Sequence, residues 1–169
     1  MSVTVLRLGH RPSRDKRIST HCGLVARAFG ADNIFYSGLR DSSMEKSIHG
    51  VASHWGGNFG VAHVRSWKAF LRDWNGKSVH LTMYGMPVHK RIEKIRGEKD
   101  LLVIVGGEKV PWEVYELATW NIGVTNQPHS EVAALGVFLH EYFQGKELSL
   151  SFKRAGKRVV PQARGKKVV

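Results

Sequence analysis

The chain reads as an α/β protein: a mostly parallel sheet with helices on both faces. Three observations predict this. Short apolar runs alternate with segments of helical periodicity from residue 3 to residue 143, the signature of βαβ units. Leu101-Leu102-Val103-Ile104-Val105 contains no polar residue, as a strand buried on both faces requires. Glycine pairs and turn dipeptides, Gly56-Gly57 and Asn75-Gly76 among them, punctuate the alternation, where helix or strand must stop.

The elements follow in order. Val3 to Leu8 is a short apolar strand, and Gly9 to Lys16 a basic loop. Ile18, Cys22, Val25 and Phe29 recur at helical spacing and predict a helix over 17–29 with that face inward. Gly30 ends it as a C′ residue. Asn33 to Ser37 is a second strand. Ser42 and Glu45 form a capping box for a helix carrying Met44, Ile48, Val51 and Trp55. Strands at 59–64 and 79–83 flank a short helix at 67–74, and a helix at 88–95 leads into the strand Leu101 to Val105. A helical turn or two at 113–118, a strand near Ile122 and an apolar helix over 130–143 complete the pattern.

Charge separates this chain from an ordinary cytosolic domain. The net charge is +12, which points to a polyanionic partner, nucleic acid first. Residues 146–169 carry eight basic residues against one acid, Glu147, for a net +7. That tail reads as a basic arm, partly disordered when free. Its competing reading is a docked strand in which Leu148, Leu150 and Phe152 alternate with Ser149 and Ser151. The single cysteine, Cys22, excludes internal disulfides and thiolate zinc clusters and suits a reducing cytoplasm. No apolar run approaches the length of a membrane span. The nine histidines lack metal-ligand spacing, so no metal is expected.

Candidate chemistry lies in three loops that each follow a strand: Met83-Tyr-Gly-Met-Pro87, Gly106-Gly-Glu-Lys-Val-Pro111 and Val124-Thr-Asn-Gln-Pro-His129. Loops at the carboxyl ends of parallel strands are where such sheets place ligands. Gly106 and Gly107 permit close backbone approach. None of the three is a P-loop or a dinucleotide fingerprint, and three ordinary βα turns would look the same. Behind the last loop, Ala133, Ala134 and Gly136 give the final helix a small face.

Taken together, three long segments resemble a known family. Leu6 through Ala31, Leu102 through Pro111 and Asn121 through Glu141 are similar to the three motifs of the archaeal tRNA (cytidine-56) 2′-O-methyltransferases of the SPOUT superfamily. The resemblance implies a C-terminal deep trefoil knot within residues 77–145, a single methyltransferase domain over 1–145, a homodimer, and S-adenosylmethionine as cofactor. It implies a cofactor site made of Leu81, the loop Gly106, Gly107, Glu108, Lys109 and Val110, and the stretch Ile122, Gly123, Val124, Thr125, Asn126, Gln127, Pro128, His129 and Ser130. It places catalysis in the first motif, on Arg14, Asp15, Arg17 and His21. Arg11 and Arg14, with Lys153, Arg154, Lys157 and Arg158 of the tail, are the expected RNA contacts. The superfamily's first-motif arginine would fall near Leu24, so the activating residue is left open among Arg14 and Arg17. The function implied is ribose 2′-O-methylation of cytidine 56 in tRNA. The alternatives are a non-catalytic RNA-binding protein of the same fold, or a SPOUT enzyme with another RNA target.

Overall fold

The computed structural model describes residues 2–107 and 109–169. Its strands β1 (Ser2–His10), β2 (Asn33–Gly38), β3 (Gly60–His63), β4 (Lys77–Pro87), β5 (Asp100–Val105) and β6 (Trp120–Gly123) form one sheet. The order is β3-β2-β1-β5-β4-β6, and every pairing is parallel. Between them run α1 (Pro12–Ala28), α2 (Ser42–Trp55), α3 (Trp67–Arg72), α4 (Ile92–Arg96), α5 (Trp112–Leu117) and α6 (Glu131–Phe143).

Period-2 alternation along β5 divides the core. Leu101, Val103 and Val105 pack with Cys22, Ile48, Ile95 and Leu135, beneath α1, α2, α4 and α6. Leu102 and Ile104 turn the other way and pack with Leu71 and Val114 of α3 and α5. The predicted central strand is therefore covered on both faces.

β4 passes β6 twice. Leu81 pairs with Ile122, the chain makes an excursion, and Met86 then pairs with the same Ile122. The crossing depends on Gly85, where a Cβ would lie 2.5 Å from backbone atoms of Asn121 and Ile122. No side chain larger than hydrogen fits there without moving β6.

Several boundaries differ from the sequence expectation. Helix α1 starts at Pro12, so Arg14 and Asp15 lie on the helix and not in a loop. Proline at the first helical position is a start signal, because its missing N–H has no partner to lose there. The longer helix also rotates the assignment of its inner face: Asp15, Ser19, Cys22, Gly23 and Ala26 are buried, while Ile18, Val25 and Phe29 are only half-buried. At α2 the cap is Asp41 rather than Ser42; its carboxylate accepts from the Ser43 and Met44 amides, each at 3.0 Å. The helix expected over 88–95 is a 3₁₀ turn, Val88–Lys90, followed by α4.

The basic tail is docked, not a free arm. Beyond α6, Gln144 and Gly145 adopt left-handed conformations. A 3₁₀ turn at Lys146–Ser149 then buries Glu147, which meets His140 Nδ1 at 2.5 Å. Phe152 lies under the Arg27 guanidinium, 4.2 Å from it. The Gly57 amide donates to the Lys153 carbonyl at 3.0 Å and the Lys157 amide to that of His54 at 2.9 Å. A two-stranded antiparallel ribbon, β7 (Val159–Val160) with β8 (Lys167–Val168), closes the chain. The alternating strand through Leu148 and Leu150 does not form; both side chains are exposed.

Candidate active site

The sheet reverses its winding between β1 and β5, since β2 and β3 extend one way and β4 and β6 the other. The crevice at such a switch point is the expected ligand site. A cavity of about 1270 Å³ opens there. Its walls are the end of β1 (Arg7 to His10), the start and cavity-side residues of α1 (Arg11, Arg14, Asp15, Arg17, His21), the loop after β5 (Gly107, Lys109, Pro111) and the start of α6 (Ser130, Glu131, Val132). All four predicted catalytic residues thus meet parts of the second and third motifs in one space.

Local electrostatics favour an anionic ligand. Asp15 is bound by its own helix start: its Oδ2 accepts from the Arg11 amide at 3.2 Å and from Arg11 Nε at 3.0 Å. Burial pushes its carboxyl up, but the hydrogen bond and charge of Arg11, with the charge of Arg7, hold it below the ordinary carboxylate range. At the cavity edge His10 is fully buried, with Nδ1 2.8 Å from Ser19 Oγ and Nε2 3.3 Å from Asp41 Oδ2. Among the described lining residues basic side chains outnumber acidic ones, which sets the sign of the cavity.

Two wall residues escaped the sequence reading. Arg7 is 2% exposed although it is an arginine within an apolar strand. Its Nη2 contacts Glu131 Oε1 at 3.1 Å, its Nη1 donates to the Leu8 carbonyl, and its Nε has no partner among the described residues. Glu131 opens α6 and is 17% exposed. The available signal was the charge itself: a buried strand tolerates arginine only where a partner is supplied. Arg7 also acts on Cys22, although burial dominates and pushes that thiol up to about 12; it is no nucleophile at neutral pH.

The predicted cofactor residues divide. Gly107, Lys109 and Ser130 line the cavity, whereas the other described residues of the set do not. Leu81 and Ile122 are core residues, and Gly123 is buried beside them. Thr125 to His129 form an exposed loop pinned by Asn126, whose Nδ2 donates to the Met83 carbonyl at 2.6 Å and that of Gly85 at 3.0 Å. Those bonds join the first and third predicted loops. Val110 is half-buried against Gly106, whose added Cβ would lie 2.2 Å from its Cγ2. A Cβ at Gly107 would meet only Arg7, at 3.6 Å, so the need for glycine is greater at Gly106 and Gly85 than at Gly107. Glu108 lies outside the described residues. Lys153, Arg154, Lys157 and Arg158 are exposed beside the end of α2 and do not reach the cavity. Among the described residues no three His, Cys, Asp or Glu side chains are grouped to hold a metal, and no helix is long and apolar enough to cross a membrane.

Residues 55–169 match the profile of a family described as tRNA ribose 2′-O-methyltransferase, aTrm56; the match includes the tail. A tRNA (cytidine(56)-2′-O)-methyltransferase of Archaeoglobus fulgidus is 53% identical, covering 100% of this chain and 99% of that one. Those of Methanopyrus kandleri and Pyrococcus horikoshii are 53% and 51% identical, over 98% and 99% of this chain and 95% and 84% of their own lengths. Among solved structures, an AdoMet-bound rRNA methyltransferase from Sinorhizobium meliloti superposes with a TM-score of 0.65 at 16% identity, over 86% of this chain and 57% of that one. The A. aeolicus TrmH/SpoU tRNA modifying enzyme superposes at 0.63 with 14% identity, over 87% and 76%. At these identities the structures speak for the fold alone.

Proposed function

We propose what this site does from one premise: the chain belongs to the tRNA ribose 2′-O-methyltransferase family. It transfers a methyl group from S-adenosylmethionine to the 2′-hydroxyl of cytidine 56 in tRNA. The observation that carries the reading is the cavity at the β1/β5 switch point, where basic first-motif side chains face the loop after β5 and the start of α6.

The residues present suit the cofactor. Gly123 lies where a Cβ would come within 3.0–3.3 Å of Asn126 Nδ2 and the Gly85 and Thr82 carbonyls, so the crossing loops leave little room for a side chain there. Backbone of this kind can hold a nucleoside and an amino-acid end through its own N–H and C=O groups. Residues 106–110 and 122–130 would hold it, with Leu81 behind. The cofactor supplies a methyl group on a sulfonium, already electrophilic. What the chain must do is align the ribose oxygen with it, and alignment alone lowers barriers by roughly 7–11 kcal/mol. Arg14 and Arg17 would grip the phosphates flanking the nucleotide, since guanidinium and phosphate match in bidentate geometry.

The double passage of β4 along β6 supports a trefoil knot within 77–145. A homodimer fits the apolar trough between α1 and α6, lined by Val25, Phe29, Ala133, Gly136 and Val137, where a second copy would bury them. We assign catalysis to residues 1–145, and to 146–169 an accessory, cytoplasmic role in holding tRNA by charge. Arg14→Ala and Arg17→Ala test the cavity: each should lower single-turnover methylation far more than cofactor affinity measured by calorimetry. Wild-type rates in both would remove the basic face of α1 from the site.

A further inference from the structure

We infer that Glu131 is the catalytic residue that takes the proton of the ribose 2′-hydroxyl, and that Arg7 is the residue that positions it. This rests on the methyltransferase reading and names a residue that reading leaves open.

The reacting hydroxyl must lose a proton, and among the described residues the cavity offers few acceptors. Both ring nitrogens of His10 are engaged, by Ser19 and Asp41. The four arginines, Arg7, Arg11, Arg14 and Arg17, do not deprotonate at biological pH. Asp15 is already bound by Arg11 through both backbone and side chain. His21 stands out on the exposed face of α1. Glu131 differs in each respect. One carboxylate oxygen, Oε1, is fixed on Arg7 at 3.1 Å, and Oε2 has no hydrogen bond among the described residues. The side chain is only 17% exposed, so bulk water is largely kept from it. Its backbone is the first residue of α6, directly after the loop assigned to the cofactor. The carboxylate therefore lies between that loop and the basic face of α1.

Arg7 accounts for its own burial in this scheme. A guanidinium with an unpartnered Nε inside the protein is costly, and a core position would serve better with an apolar side chain. The Leu8 carbonyl fixes the guanidinium on a central strand, and its other nitrogen holds Glu131 Oε1, as a positioned base requires. The same contact keeps Oε1 occupied and leaves Oε2 toward the cavity.

The step balances. The O–H bond breaks and its proton passes to Glu131 Oε2. The oxygen's electron pair forms the bond to the methyl carbon, and the electrons of the broken S–CH₃ bond stay on sulfur, which becomes a neutral thioether. Glu131 afterwards returns the proton to solvent.

Glu131→Gln keeps shape and removes the base. It should bind S-adenosylmethionine with wild-type affinity by calorimetry, yet lose at least about a hundredfold in single-turnover rate. The wild-type rate should fall off at low pH, and the Glu131→Gln rate should lose that fall-off. A second measurement needs no active variant. In the ligand-free wild type, the Glu131 carboxyl followed by carbon NMR should titrate at the midpoint of that fall-off. Arg7→Lys, which keeps a cation but not the fork, should move both midpoints together. A Glu131→Gln rate within about fivefold of wild type, or a carboxyl titration unrelated to the rate profile, overturns the assignment. A wild-type protein that binds the cofactor and never methylates tRNA would instead sink the function itself, before any variant is made.

Discussion

Gly56→Ala should release the C-terminal tail from the body. Gly56 sits at φ 81°, ψ 179°, a region occupied almost only by glycine, where another residue costs about 1–3 kcal/mol. A Cβ there would also lie 2.6 Å from the Lys153 carbonyl oxygen and 2.9 Å from the Ala155 amide nitrogen. Backbone cannot give way locally, so residues 153–155 must lift. Lifting them breaks the Gly57–Lys153 hydrogen bond, worth about 1 kcal/mol, and weakens the contact of Arg27 with Phe152, worth about 0.5–2 kcal/mol. Together the loss is about 2.5–6 kcal/mol, and at roughly 2–4 °C per kcal/mol for a chain this size the melting point should fall by about 5–24 °C. Calorimetric melting reads the loss, and hydrogen exchange at the Lys157 amide, which now donates to His54, locates it. A variant that melts within about a degree of wild type, with Lys157 still protected, would refute the docking argument.

Three further outcomes follow from the same contacts. Asn126→Ala removes both bonds to the Met83 and Gly85 carbonyls and should weaken cofactor binding about tenfold or more, since each bond is worth about 1 kcal/mol; unchanged affinity by calorimetry would take this loop out of the site. Asp41 is held below the usual carboxylate range first by the Met44 amide and then, against burial, by His10. Its stabilisation is complete above about pH 4, its unfolded value, and is lost as pH falls through the lowered native value. Asp41→Asn should therefore flatten acid unfolding below about pH 4 and cost about 1 kcal/mol at neutral pH, and an unaltered acid limb would contradict this. Replacing Lys153, Arg154, Lys157 and Arg158 together by alanine should reduce the slope of log tRNA affinity against log salt by about three; a slope that does not change would show that the RNA lies elsewhere.

The sheet was legible because its cause is local. Five consecutive apolar residues at 101–105 leave no solvent face, and the structure covers both. The first helix was legible in kind but not in start, because Pro12 was taken for loop chemistry when it marks the first helical turn. That shift moved Arg14 and Asp15 onto the helix and changed which residues face inward. The capping residue of α2 was missed by one position, since Asp41 and Ser42 are both good caps, and the contact of Asp41 with His10 of β1 exists only in the fold. At the site, the loops and basic helix face were readable from residue type. The Arg7–Glu131 pair was not, because its partners are brought together by the pairing of β1 with β5 and the packing of α6 on α1. Docking of the tail was hidden for the same reason: Phe152 finds Gly57 and Arg27 only in the fold.

Nucleoside analysis of an unmodified tRNA transcript incubated with the protein and S-adenosylmethionine tests the central claim most directly. The account predicts one new product, 2′-O-methylcytidine, mapped to position 56. A methylated base, a methylated ribose at another position, or no methyl transfer by a folded protein that binds the cofactor would contradict it.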